Sequence, residues 1–190
     1  MIGRKNIVFG FLYLVLTAAL GPYMITQLFP AVQQAQVQKQ KVMGDLQLSA
    51  SAGFENQNTL APMTGAEIGK ADAHALLALN KVLNAQAPID AIKGGPHTHG
   101  NLESVLNIVV GLVLCFIAAA PLVKQAVSWI FILGALLHSG MLYLQAFDVS
   151  WAGAVLNTGV GPGLILVGLL VAGVVAGFGF RGELVRDRQW

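Results

Sequence analysis

The chain has 190 residues, of which 55% are hydrophobic and 11% charged, and its formal net charge is +2. A soluble domain carries about 25% charged residues, so this composition belongs to a membrane protein, and basic residues this scattered exclude a nucleic-acid footprint. The single cysteine, Cys115, sits in an apolar run with no CxxC motif, which argues against disulfide chemistry and cysteine-rich zinc sites.

A membrane-crossing helix needs about 20 largely apolar residues, and four segments meet that requirement. They predict an all-α chain, a four-transmembrane-helix bundle forming one integral membrane domain over 1–190, with a long, partly helical outer loop. The first span, about 6–29, follows Arg4 and Lys5; its apolar region is too long for a signal peptide and reads as a retained anchor. Gly10, Tyr13 and Thr17 make a helical stripe along it, and Pro22 is expected to kink it. The Gln-rich stretch after it, "AVQQAQVQKQKVMGDLQ", reads as a helical continuation into water.

The outer loop, 30–100, is longer than structureless loops usually run. Thr64 and Glu67 have capping-box spacing, and Ile68, Ala71, Ala75, Leu79 and Val82 then recur at helical intervals. The pattern predicts an outer helix over 65–84, lying on the membrane surface or on a neighbour, with His74 as a solvated surface residue.

The second span, about 101–120, is entered through "GGPHTHGNLESVLN". If its helix begins near Thr98, then His99, Glu103 and Asn107 stand four apart and form one polar stripe on consecutive turns. Polar groups at membrane depth normally face the bundle interior. Three readings fit: an interfacial helix end with structural hydrogen bonds, metal or haem ligation by a histidine, or a proton path. Asn107 requires a partner, because a bare amide in hydrocarbon is costly.

The third span, about 126–147, carries His138 near its middle and Tyr143 and Gln145 in its outward half. At about 1.5 Å per residue His138 lies roughly 13 Å below Phe147, whereas His99 belongs near the outer edge of span two. Unless span two enters much deeper, the two imidazoles do not reach one iron, and a single axial histidine with an open opposite position is easier to build. The fourth span, about 160–180, contains Gly159/Gly163 and Gly173/Gly177, GxxxG spacings that permit close helix contact within the bundle or between protomers. "NTGVGPG" before it reads as a turn and helix start, and Asp148 and Trp151 fit an interfacial belt.

Orientation follows from Lys and Arg. Arg4, Lys5, Lys124, Arg181, Arg186 and Arg188 share one side if the chain crosses four times. Both termini are then cytoplasmic, the loop faces outward, and a bacterial inner membrane is the expected location.

The order of these features resembles the membrane-bound styrene oxide isomerases, small four-span proteins that bind haem b. "HTHGNLESVLN" is similar in placement to that family's ligand segment at the start of span two. "GALLHSGMLYLQAF" looks like its third span and "VGPGLILVGLL" like its entry to span four. The His99-to-Asn107 spacing and the length of the outer loop differ from the family's pattern. The resemblance implies a haem whose ferric iron acts as a Lewis acid on an epoxide oxygen.

These readings make His99 the first candidate ligand for a haem b or metal site near the outer leaflet, and His97 the second. Glu103 and His138 complete the cofactor-binding set, and Asn107 and Tyr143 are the candidate catalytic polar groups. A copper ion, or no cofactor, is the alternative to haem. Whether the chain is an enzyme stays open. The rival function is a non-catalytic accessory subunit of a larger respiratory or metal-dependent membrane complex, docking through its outer loop and GxxxG faces. Expected partners are the lipid bilayer and either further copies of the chain or other membrane subunits.

Overall fold

Every regular element is helical in the structure, a computed structural model that describes residues 1–56 and 59–185. Arg186 and Arg188, counted above toward the cytoplasmic side, lie outside the described residues. In chain order, α1 covers Arg4–Ala18, α2 Leu20–Tyr23, α3 Phe29–Ser51, α4 Gly65–Ile92 and α5 Thr98–Leu114. They are followed by α6 at Pro121–Ala135, α7 at Met141–Ala146, α8 at Ser150–Leu156 and α9 at Val160–Gly179. Wider π-helical turns occupy Met24–Leu28, Lys93–His97 and Leu136–Gly140. Among the described residues, three helical stretches are long and apolar enough to cross a membrane: Arg4–Ser51, Pro121–Ala146 and Val160–Gly179.

The second expected span differs most from its sequence reading. Its helix, α5, has 17 residues, about 26 Å of rise against a hydrocarbon core of ~30 Å. It stops at Leu114 rather than at 120 because Pro121 opens the next helix and holds Ala120 extended, at φ −56° and ψ 137°. The link then pairs its backbone with the chain after α9: Ala118 N–H donates to Gly179 O at 2.7 Å, and Arg181 N–H donates to Phe116 O at 2.8 Å. The third span starts earlier than 126 for the same reason, with Pro121 at the head of α6. Lys124, expected in the short link between spans two and three, is instead in the first turn of α6 and fully buried.

Contacts divide the chain into two compact units, Pro22–Asp90 and Met1–Gly21 with Ala91–Trp190. In the first of these, the Gln-rich stretch is helical as α3, which buries Val32 and Ala35, and α4 buries Ala75, Ala78 and Ile89. Lys81 Nζ donates to Gln38 Oε1 at 2.8 Å, tying α4 to α3. The capping box forms: Thr64 N–H and Oγ1–H donate to Glu67 Oε2 at 2.7 and 2.8 Å, and Glu67 N–H donates to Thr64 Oγ1 at 3.3 Å. These bonds, the backbone one first, hold the Glu67 carboxyl below its ordinary pKa. The helix does not end at 84; it continues through Pro88 to Ile92.

In the other unit, small residues decide how the helices meet. A Cβ built on Gly3 would lie 2.0 Å from Gly111 O, one on Gly10 would lie 2.6 Å from Ser104 O, and one on Gly100 would lie 2.4 Å from Thr17 Cγ2. The order of these pairs makes α1 and α5 antiparallel, in contact close to backbone separation along most of their length. α6 and α9 meet the same way: Gly168 lies on Phe131, Gly134 on Ile165, and Gly161 on the backbone of Leu137 and His138. Val110, Leu114, Ile117, Val127, Phe131 and Ile165 fill the apolar core between α5, α6 and α9. Gly159, Gly163, Gly173 and Gly177 have nothing within 4 Å of an added Cβ, so the expected GxxxG faces do not seal this chain's own bundle. The glycines that do are Gly161 and Gly168, on the other side of α9.

Candidate functional site

Hydrophobic helices have no use for buried polar side chains unless those side chains satisfy one another. Here the buried polar residues of α1, α5 and α6 form a ladder. At its base, Asn6 Nδ2 donates to Asn107 Oδ1 at 2.9 Å and to Ser128 O at 3.0 Å, and Ser128 Oγ donates back to Asn6 Oδ1. Asn107 Nδ2 donates to Glu103 O at 3.0 Å and Phe131 O at 3.3 Å. Both amide hydrogens and an acceptor of Asn107 are thereby used, and the residue is 0% exposed. It is a cross-helix tie, and the candidate catalytic role given to it finds no free donor.

One turn toward the start of α5 lies Glu103, 3% exposed. Its Oε1 lies 2.6 Å from His138 Nδ1, and its Oε2 accepts from Ser139 Oγ at 2.5 Å. Ser139 Oγ also meets Tyr13 OH at 2.9 Å. The π-helical turn Leu136–Gly140 carries both His138 and Ser139. Neighbours on an ordinary α-helix point about 100° apart; this widened turn directs both at one carboxylate. Such turns recur at functional sites. Among the described residues no buried side-chain nitrogen or oxygen lacks a hydrogen-bond partner.

At the mouth, Thr17 Oγ1 donates to Asn101 Oδ1 at 2.8 Å. His97 Nδ1 lies 3.1 Å from Thr17 O. A carbonyl only accepts, so this nitrogen carries the proton. The ring of His99 lies 4.7 Å from that of His138, centroid to centroid, with 57° between the planes. Both His97 and His99 are half-buried.

The structure therefore brings together His99, His138 and Glu103, and turns His97 away to α1. The depth expected from the sequence is corrected: His99 and His138 are not on separate levels. Gly95 breaks the helix, at φ −100° and ψ −107°. A Cβ on Gly95 would lie 3.7 Å from Leu142 Cβ, so the chain entering α5 lies beside the turn just outward of His138. Tyr143 stays outside this network, with its ring 5.2 Å from Phe147.

Tyr13 was visible in the sequence as part of a stripe, but Asn6, Ser128 and Ser139 were not singled out. Their signal was the face they share: Ser128 and Ser139 stand eleven residues apart on one span, close to three helical turns. Among the described residues no three His, Cys, Asp or Glu side chains form a group able to hold a metal ion. No family model, no curated protein and no solved structure matches this chain.

Proposed function

We propose that this chain is a four-crossing integral membrane protein with a haem b or metal site near the outer leaflet, built on the His99–His138 pair. A bacterial inner membrane with cytoplasmic termini is the location that suits it. In support of four crossings, α5 packs antiparallel along α1 although it is short, and a fourth crossing keeps Arg4, Lys5 and Arg181 on one side.

The observation that carries the reading is the Glu103–His138 pair beside the His99 ring. A histidine that binds metal through one ring nitrogen usually donates the other N–H to a carboxylate or carbonyl, and His138 is held in that way. A copper ion takes two imidazoles side by side, which 4.7 Å between the ring centroids suits; a haem would take one of the two, with the other beside it. Bound through one of these histidines, a haem would supply Lewis acidity toward an oxygen such as that of an epoxide, the chemistry implied by the styrene oxide isomerase resemblance. The chain's own contribution is to orient the His138 ring through Glu103 and to offer His99 alongside.

A second reading rests on a separate observation. Gly163, Gly173 and Gly177 face open space on α9, and Leu166, Leu170 and Phe178 are exposed beside them. This face suits another helix, from a further copy or from a larger complex in which the chain is an accessory subunit.

The test is the absorption spectrum of the purified protein before and after haem addition. A Soret band is expected that is lost or shifted in His138→Ala and His99→Ala and kept in His74→Ala. A wild-type protein that takes up neither haem nor Cu²⁺ overturns the proposal.

A further inference from the structure

A neutral imidazole carries one proton, and its position decides which nitrogen is left to bind a ligand. The partners of His138 fix that position. Glu103 Oε1 lies 2.6 Å from His138 Nδ1 and its Oε2 lies 2.5 Å from Ser139 Oγ, so that as a carboxylate Glu103 accepts at both oxygens. Ser139 has one hydroxyl hydrogen, for which Ala135 O at 3.2 Å is a more distant acceptor than Glu103; donated to Glu103, it leaves the Tyr13–Ser139 contact at 2.9 Å to the tyrosine hydrogen. The donors thus run in one direction, from Tyr13 to Ser139 to Glu103, and His138 meets the same carboxylate from the other side.

We infer that Tyr13 and Ser139 are positioning residues which, through Glu103, hold His138 as the Nδ1–H tautomer and leave Nε2 as its ligand-binding atom. Tyr13 lies on α1, Glu103 on α5 and Ser139 on the turn after α6, so the choice of nitrogen depends on three helices being docked. Without Ser139, the carboxylate loses its second donor and is free to turn away from Nδ1. Without the Tyr13 hydroxyl, Ser139 loses the donor that orients it. The inference deepens the haem reading and, for the identity of the ligand, rests on it. The tautomer itself is a property of the ligand-free protein.

The experiment is nitrogen NMR of the histidine-labelled protein in lipid nanodiscs at mildly alkaline pH, with His138 assigned by its loss in His138→Gln. Wild type should show His138 protonated at Nδ1. Tyr13→Phe and Ser139→Ala should shift it toward a mixture with the Nε2–H form, while Ser139→Thr, which keeps the hydroxyl, should restore it. Ser104→Ala serves as the control, because that buried serine donates only to Gly100 O and should leave the His138 signals in place. With Cu²⁺ as probe, Tyr13→Phe and Ser139→Ala should weaken binding by about 10- to 100-fold, the usual effect of losing a group behind a ligand histidine. An Nε2–H signal in wild type, or signals unmoved in both variants, overturns the inference. The expected tautomer pattern with no haem or Cu²⁺ uptake overturns the ligand reading alone.

Discussion

Replacing Glu103 with leucine should destabilise the fold by about 2–4 kcal/mol and abolish ligand uptake. The carboxylate receives two charge-assisted hydrogen bonds in a buried setting. Such bonds are worth about 1.5–3 kcal/mol each in soluble proteins, and interhelical bonds in membranes are worth less, on average ~0.6 kcal/mol. The larger cost is what remains. His138 Nδ1 and the Ser139 hydroxyl lose their shared acceptor where water is scarce. Glu103→Gln keeps one acceptor oxygen and should lose about half as much. Reversible unfolding in mixed detergent micelles, with haem uptake measured in parallel, checks both values. Equal stability of wild type and Glu103→Leu would mean that the carboxylate is solvated and the buried ladder is wrong.

The second large effect belongs to packing. A side chain at Gly111 would place its Cβ 2.7 Å from Gly3 O, 2.7 Å from Ile7 Cγ1 and 3.0 Å from Ile7 N. Two of those atoms are backbone, so relief requires α1 to move. Gly111→Leu should therefore cost about 3 kcal/mol or more, the upper end for overpacking. It should also break the Asn6–Asn107 tie one turn away, since that bond spans the same two helices. Gly177→Leu is the matched comparison: nothing lies within 4 Å of its added Cβ, and the monomer in detergent should change by less than about 0.5 kcal/mol. Thermal melts of the two variants side by side decide it.

Much of the helical layout could be read from hydropathy because lipid-facing residues must be apolar whatever they pack against. Span four was placed within a residue of α9 for that reason. The capping box at Thr64 was equally legible, since it is a local pattern four residues long. What the sequence hid was depth and rotation. Hydropathy does not report that Gly95 breaks the chain before α5 and draws His99 level with His138. Nor does it report that Pro121 cuts span two short. Glycine spacing left two uses open, within the bundle or between protomers, for a related reason. A GxxxG pattern marks a face that permits close contact, but which face is used depends on the neighbour, and here it is Gly161 and Gly168 that touch α6 and its following turn. Asn107 drew notice because an amide in hydrocarbon needs a partner. Its partner Asn6, at the very start of span one, could be recognised only once the antiparallel α1–α5 seam was known.

The account depends on two imidazoles, one from the head of α5 and one from the turn after α6, offering nitrogens to the same ligand inside the membrane. Pulsed electron paramagnetic resonance of the protein loaded with one equivalent of Cu²⁺ counts the imidazoles coupled to the metal. Two are expected in wild type, one in His99→Ala and one in His138→Ala, with His74→Ala and His97→Ala unchanged. A wild-type signal that both the His99 and His138 variants leave intact would contradict the account.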